Sequence, residues 1–127
     1  PVYAAVAHRT GARPGAMWSL LSANIQNMYL RMLRQTSLLP AGRAAIIEAD
    51  RNRLLDRTRK AVNGFARNPL AVRLQQFRHP AYLGPPVVLR KACCLAYQLQ
   101  EDGHAHGYCA TCPSSSAEER IRRLATE

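Results

Sequence analysis

The sequence predicts a mostly α fold, with a short β element beside a group of cysteines near the C-terminus. Two long stretches carry apolar residues at helical spacing, and each begins at a proline, which suits the first turn of a helix. All four cysteines lie between residues 90 and 113. The stretch that contains the first two alternates in side-chain character, as a partly buried strand does.

Length and composition indicate an ordinary globular protein. We expect residues 1–127 to form a single domain, since this length can bury a sizeable core. No apolar run approaches the roughly 20 residues that a membrane span needs, so we expect no transmembrane segment. The first residue is a proline in place of an initiator methionine, which indicates processing, trimming or a fragment.

The chain is strongly basic, with a net charge of +10 from 18 Lys and Arg against 8 Asp and Glu. A positive field attracts anionic partners, and nucleic acid is the commonest of these for a small basic protein. Aromatic residues are scarce, no nucleic-acid motif is present and the arginines are spread along the chain. We therefore expect no nucleic-acid partner and consider an acidic protein partner instead.

The first half of the chain predicts two core helices. The apolar start VYAAVA favours a strand, or the tail of an element that begins earlier. A helix is expected from Pro14 to about Gln35, and a second from Pro40 to about Phe65. The apolar seam of the first helix comprises Trp18, Leu21, Ile25, Met28 and Met32.

The second half predicts shorter elements around the cysteines. Spaced apolar residues from Leu70 to Phe77 favour one short amphipathic helix, and residues 87–99 favour a strand. Ser116 and Glu119 fit a capping box at the start of a last helix. We expect this last helix to brace the neighbouring cysteines.

The cysteine spacing is typical of a ligand set. Cys93 and Cys94 are adjacent, fourteen residues separate them from Cys109, and Cys109 and Cys112 form a C-x-x-C pair followed by proline. Four interpretations are possible: an iron-sulfur cluster, structural zinc, a disulfide framework or unconnected cysteines. No signal-peptide pattern supports a secreted disulfide framework, and chance explains four cysteines in one short stretch poorly.

Iron-sulfur is favoured over zinc by the adjacent pair. Zinc knuckles usually separate their two cysteines by two to four residues, which Cys109 and Cys112 satisfy and Cys93 and Cys94 do not. Adjacent residues in extended chain point to opposite faces, so this pair needs a bulge or an abrupt turn to face one site. A two-iron cluster offers two ligand positions on each iron, so it accepts cysteines that approach from a wider range of directions. His104 and His106 could supply a mixed site, but four cysteines already complete a ligand set.

The cysteine segment resembles a known family. RKACCLAY at residues 90–97, YCATCP at 108–113 and EER at 118–120 are similar to the C-terminal signature of FhuF-like ferric siderophore reductases. Those proteins hold a 2Fe–2S cluster on a C-C-x(10)-C-x-x-C motif and reduce imported ferric siderophores in the bacterial cytoplasm. The resemblance implies four cluster ligands: Cys93, Cys94, Cys109 and Cys112. It also implies residues next to the cluster: Arg90, Lys91, Tyr97 and Tyr108.

Two departures from the family pattern define how far the resemblance extends. The spacing between the cysteine pairs is fourteen here against ten in the family, and the loop at residues 101–107 accounts for the extra length. Loop-closure entropy grows only logarithmically with length, so a surface loop absorbs four residues at small cost. Family members are about twice as long. We therefore expect the C-terminal half of such a protein, with residues 90–124 as the cluster-binding segment.

The resemblance implies an oxidoreductase that releases iron from a ferric siderophore by one-electron reduction of Fe(III) to Fe(II). No dinucleotide or flavin fingerprint is present, so the electrons are expected from an unidentified donor protein or reductant. The implied location is the bacterial cytoplasm. The alternative is a zinc-stabilised basic binding module without redox activity.

Overall fold

The computed structural model describes residues 2–35, 38, 40–58, 65–95, 98, 100–101, 104–105 and 107–126. Four α-helices dominate these residues and confirm the mostly α prediction: α1 (Val2–Thr10), α2 (Pro14–Arg34), α3 (Arg43–Leu54) and α4 (Ala117–Leu124). Two short strands, β1 (Gln100–Glu101) and β2 (His104–Ala105), pair antiparallel. The chain divides into two compact units, Pro1–Arg73 and Leu74–Glu127.

The N-terminal stretch is helical, so the expectation of a strand there is wrong. The stretch has no alternation of apolar and polar residues, and three of its six residues are alanine, which has the highest helix propensity. The helix ends at Gly11, whose backbone amide donates to the carbonyl of Ala7 at 2.9 Å. Gly11 has φ +69°, a left-handed conformation that glycine adopts at low cost after a helix.

The predicted bounds of α2 are confirmed, with Pro14 as its first residue. Its buried face differs from the predicted apolar seam, because Met28 and Met32 are 48% and 40% exposed. The buried residues of this helix are Ser19, Ser22, Ala23 and Tyr29. Although α2 has 21 residues, neither it nor any other helix in the described ranges is long and apolar enough to cross a membrane.

Small polar side chains are buried on α2 because a backbone segment packs there. The Ser22 hydroxyl donates to the carbonyl of Leu70 at 2.7 Å. Gln26 donates from its side-chain amide to Ser22 Oγ at 3.0 Å and to the carbonyl of Val72 at 3.3 Å. This face of α2 is therefore buried through hydrogen bonds to backbone carbonyls of a segment without regular secondary structure, and these carbonyls need such donors.

Helix α3 is shorter than predicted. It begins at Arg43, after Gly42 at φ 80°, and ends at Leu54. The predicted continuation does not form over residues 55–58, and residues 59–64 lie outside the described part of the chain. The end is fixed by Asn68, whose side-chain amide donates to the carbonyl of Leu54 at 2.7 Å and to that of Asp56 at 3.0 Å. These bonds satisfy carbonyls that a longer helix would have used.

The short helix predicted over Leu70 to Phe77 is also wrong. Gln76 instead forms an antiparallel bridge with Val88. The amide of Phe77 donates to the carbonyl of Val87 at 2.8 Å, and the amide of Leu89 donates to that of Gln75 at 2.8 Å. Within the described part of residues 87–99 only Val88 pairs in this way, so the strand predicted there is not formed as a regular element.

Helix α4 begins with the predicted cap. The hydroxyl of Ser116 accepts a hydrogen bond from the backbone amide of Glu119 at 3.1 Å, which satisfies one free donor of the first turn. Acidic residues occupy that turn and basic residues the last one, as the helix dipole favours. Among the described residues of the second unit, the buried ones are Phe77, Val88, Ala110, Cys112, Ser115 and Arg120.

Candidate metal centre

All four cysteines are free thiols in the second unit. They differ in exposure: Cys112 is 2% exposed, Cys93 and Cys109 are half-buried, and Cys94 is exposed. The segment expected to bind a cluster, residues 90–124, lies entirely within this unit. The site therefore has a buried side at Cys112 and a solvent-facing side at Cys94.

The C-x-x-C pair sits on a tight turn. The backbone amide of Cys112 donates to the carbonyl of Cys109 at 2.9 Å, which folds the two cysteines back toward each other. The amide of Arg90 donates to the carbonyl of Thr111 at 2.9 Å. This second bond joins the two cysteine-bearing segments, and it explains how residues far apart in sequence come together.

Arg120 on α4 supports the turn from beneath. Its Nε donates to the carbonyl of Ala110 at 2.9 Å, and its Nη2 donates to those of Cys112 at 2.7 Å and Ser115 at 3.0 Å. The guanidinium carbon also lies 4.8 Å from the ring centroid of Phe77. At 6% exposure Arg120 is part of the core, and the expectation that the last helix braces the C-x-x-C turn is confirmed.

The adjacent cysteines are followed by a residue with an unusual backbone conformation. Leu95 has φ 59°, the left-handed region that non-glycine residues adopt at a cost of roughly 1–2 kcal/mol. Its backbone amide donates to Cys93 Sγ at 3.4 Å. The sulfurs of the adjacent pair nevertheless contact different groups, so this backbone conformation does not bring both to one site.

Two of the four sulfur atoms are in contact, and the other two lie near one guanidinium group. Cys93 Sγ and Cys112 Sγ lie 3.6 Å apart. Arg90 Nη1 lies 3.3 Å from Cys94 Sγ and 3.6 Å from Cys109 Sγ, so one guanidinium group contacts both remaining sulfurs. Thr111 Oγ1 is 3.8 Å from Cys109 Sγ. The pairing runs across the two sequence motifs and not within them.

Four thiols are a suitable donor set for a thiolate-bound metal. In this structure the four sulfurs do not converge on one point. Among the described residues no group of three or more Cys, His, Asp or Glu is arranged to hold a metal ion. Two sulfurs at about 2.3 Å from a tetrahedral ion lie about 3.8 Å apart. Cys93 and Cys112 already have nearly this spacing, and a four-ligand centre requires the pair beside Arg90 to move toward them.

The other residues expected near the cluster differ in position. Arg90 contacts two sulfurs, as described above, and Lys91 is exposed. Tyr108 is half-buried and directly precedes Cys109, whereas Tyr97 lies outside the described residues. His106 is also outside them, and the backbone of His104 belongs to β2.

The structural role of Arg120 was not predicted from periodicity, since arginine is rarely buried. The sequence offered one indication, the Glu-Glu-Arg match at residues 118–120 that accompanies the resemblance.

Comparison of the chain with known protein families, with curated proteins and with solved structures finds no match. Its function must therefore be inferred from the chemistry of the cysteine segment.

Proposed function

We propose that the chain is a 2Fe–2S protein that reduces ferric siderophores, with four cysteine ligands: Cys93, Cys94, Cys109 and Cys112. One observation carries this proposal. The sulfurs of Cys93 and Cys112, from different motifs, lie 3.6 Å apart, and Arg90 contacts the sulfurs of the other two cysteines. The resemblance of residues 90–120 to FhuF-like reductases supports iron-sulfur as the metal group.

When bound, a 2Fe–2S cluster supplies one-electron redox chemistry. The residues of the chain supply its electrostatic surroundings. Arg90 donates hydrogen bonds toward Cys94 and Cys109, and such bonds stabilise negative charge on sulfur. Arg120 is buried, and no ion pair neutralises it among the described residues. A site with two arginines and no acidic partner for Arg120 favours an anionic group.

The substrate is the one that the resemblance implies, and coordination chemistry explains how reduction would release its iron. Siderophores hold Fe(III) with hard oxygen donors, which bind Fe(II) much more weakly, so transfer of one electron is enough to release the metal. No general acid or base is required at this step. The exposed Cys94 gives the site a solvent-facing side for electron entry and exit.

The electron comes from a donor protein or a soluble reductant, because the sequence lacks any flavin or dinucleotide fingerprint. The net charge of +10 favours an acidic donor protein and anionic ferric siderophores as partners. The bacterial cytoplasm, where imported ferric siderophores are met, is the setting that this activity implies.

A second candidate function is a zinc-stabilised basic binding module without redox activity. The observation in its favour is the same 3.6 Å sulfur contact, since two thiolates on tetrahedral zinc have a similar spacing. The basic surface would then meet an acidic partner. Zinc is colourless and a two-iron cluster is not, so visible absorbance separates the two functions.

The reductase proposal is tested by single turnover under anaerobic conditions. The iron-sulfur-loaded chain is reduced, freed of reductant and mixed with catecholate, hydroxamate and carboxylate ferric siderophores in the presence of a ferrous chelator. We expect one Fe(II) captured per reducing equivalent with at least one class, and none with a Cys112→Ser variant. A reduced, cluster-loaded chain that transfers electrons to none of the three classes would exclude the reductase function.

A further inference from the structure

The sequence suggests two places for a disulfide, and the structure favours neither. Cys109 and Cys112 form a C-x-x-C motif, and Cys93 and Cys94 are adjacent. In the fold, Cys109 Sγ faces Arg90 and Thr111, whereas Cys112 Sγ faces Cys93. The sulfurs of the two members of the C-x-x-C motif therefore contact different groups.

The adjacent cysteines are separated in the same way. Cys93 Sγ accepts the backbone amide of Leu95 and contacts Cys112 Sγ. Cys94 Sγ accepts from Arg90. The two side chains therefore lie against different groups.

Cys93 and Cys112 are held in contact by the surrounding backbone. The bond from the Arg90 amide to the Thr111 carbonyl fixes the two segments side by side, one residue from Cys112. Arg120 holds the carbonyl of Cys112 at 2.7 Å from within the core. A disulfide has an S–S distance of about 2.05 Å, so the two sulfurs need to approach by about 1.5 Å. Side-chain rotation can supply a movement of this size.

We propose that Cys93 and Cys112 form a reversible two-electron thiol–disulfide couple in the metal-free chain, while Cys94 and Cys109 stay reduced beside Arg90. Cys93 is the accessible thiol and Cys112 the buried one. Within this pair, Cys93 is accordingly the thiol that an external oxidant reaches, and Cys112 resolves the intermediate.

The reaction is balanced with a small-molecule disulfide as oxidant. The Cys93 thiolate attacks one sulfur of the oxidant, forms a mixed disulfide and releases one thiol. Cys112 then attacks Cys93 Sγ and releases the second thiol. Two electrons and two protons pass from the protein to the oxidant, which leaves as two thiols, and a dithiol reductant reverses both steps.

This couple would regulate metal loading, a consequence that rests on the proposed function. The disulfide removes two of the four thiols, so the oxidised chain cannot assemble the four-cysteine centre until it is reduced. The loaded centre in turn protects the pair from oxidation, because coordinated thiolates are not available to attack the oxidant.

The experiment uses the metal-free full chain, so its result does not depend on whether a cluster binds. The chain is treated with oxidised glutathione, its remaining thiols are alkylated, and it is digested. Trypsin leaves residues 92–120 in one peptide, and cleavage after Glu101 then separates the first two cysteines from the last two. We expect a linked pair of peptides with alkylated Cys94 and Cys109. A link within either motif, or full alkylation of all four cysteines, would overturn the proposal.

Two matched variants quantify the preference. The double variant Cys94→Ser, Cys109→Ser retains the proposed pair, Cys93 and Cys112. The double variant Cys93→Ser, Cys112→Ser retains Cys94 and Cys109. In a glutathione redox buffer the first variant should have an equilibrium constant for disulfide formation at least about tenfold larger, a difference of about 30 mV for two electrons. Equal constants, or a more stable disulfide in the second variant, would contradict it.

Discussion

The guanidinium group of Arg120 donates to the carbonyl oxygen of Cys112 at 2.7 Å from a position that is only 6% exposed. The same group bonds two further carbonyls and lies against Phe77. A charged side chain is thus used as a structural support for the C-x-x-C turn, and its removal takes one hydrogen-bond donor away from each of three backbone carbonyls.

We expect Arg120→Met to lower the free energy of unfolding by about 1–3 kcal/mol, because it removes the hydrogen-bond donor from buried backbone carbonyls. Arg122→Met on the same helix is the control, since Arg122 is exposed and surface substitutions usually change stability by less than about 0.5 kcal/mol. Denaturant unfolding measures both. Equal unfolding midpoints for the two variants would show that Arg120 does not support the turn.

Arg90 should tune the proposed cluster. Reduction adds one negative charge, and a cation that donates to two of the ligand sulfurs stabilises the reduced form. Arg90→Gln should therefore lower the reduction potential of the cluster, by about 60 mV if the equilibrium constant for its one-electron reduction falls tenfold. Arg90→Lys should lower this potential less. Lys91→Gln is the control because Lys91 is exposed. A shift with Lys91→Gln as large as with Arg90→Gln contradicts the specific role of Arg90.

The ligand assignment predicts an all-or-none pattern of spectra. Serine at Cys93, Cys94, Cys109 or Cys112 should bleach or destabilise the visible chromophore, because each thiolate holds one coordination position. Alanine at His104 or His106 should leave the spectrum unchanged. A normal spectrum in Cys94→Ser would show that the adjacent pair does not supply two ligands.

The contact between Tyr29 and Asp50 predicts a loss of stability at alkaline pH. The hydrogen bond to Asp50, then burial, then the carboxylate charge raise the pKa of Tyr29 above its ordinary value of 10.0. The folded state therefore retains the phenol proton more strongly than the unfolded state does. The contribution of the Tyr29–Asp50 contact to stability is complete below about pH 10 and falls as the pH rises through the folded-state pKa of Tyr29.

Tyr29→Phe removes this titration. Its free energy of unfolding should be lower than that of the natural chain near pH 8, by about 1 kcal/mol for the lost hydrogen bond. The difference between the two proteins should shrink above about pH 10. Unfolding measured across this range checks the prediction, and parallel pH profiles would contradict it.

Local signals in the sequence predicted several elements well. Pro14 marks the start of α2 and Ser116 caps α4, because each acts on its own helix terminus and needs no distant partner. The end of α3 could not be found this way. It depends on Asn68, which reaches back to the carbonyl of Leu54 from fourteen residues away.

Burial was harder to predict because it depends on which segment packs against a helix. Met28 and Met32, expected in the core, instead line an open groove of about 420 Å³ together with residues of α3 such as Ile46. The small side chains on the other face of α2 are buried because they accept a backbone segment closely, as Ser22 does with Leu70. Periodicity identifies an amphipathic helix but not its partner.

The sequence predicted the four cysteines as a candidate site but did not predict which of their sulfurs meet. Spacing groups Cys93 with Cys94 and Cys109 with Cys112. The fold pairs them across these motifs, because the bond between Arg90 and Thr111 sets the register of the two segments. Such a register is a tertiary property, and no local pattern specifies it.

The central claim is that these cysteines hold a 2Fe–2S cluster, and metal analysis tests it most directly. The chain is purified anaerobically, its iron, sulfide and zinc are quantified, and its visible spectrum is recorded before and after dithionite. We expect about two irons and two sulfides per chain, with bleaching on reduction. One zinc per chain, with no sulfide and no colour, would contradict the claim and favour the zinc-stabilised binding module.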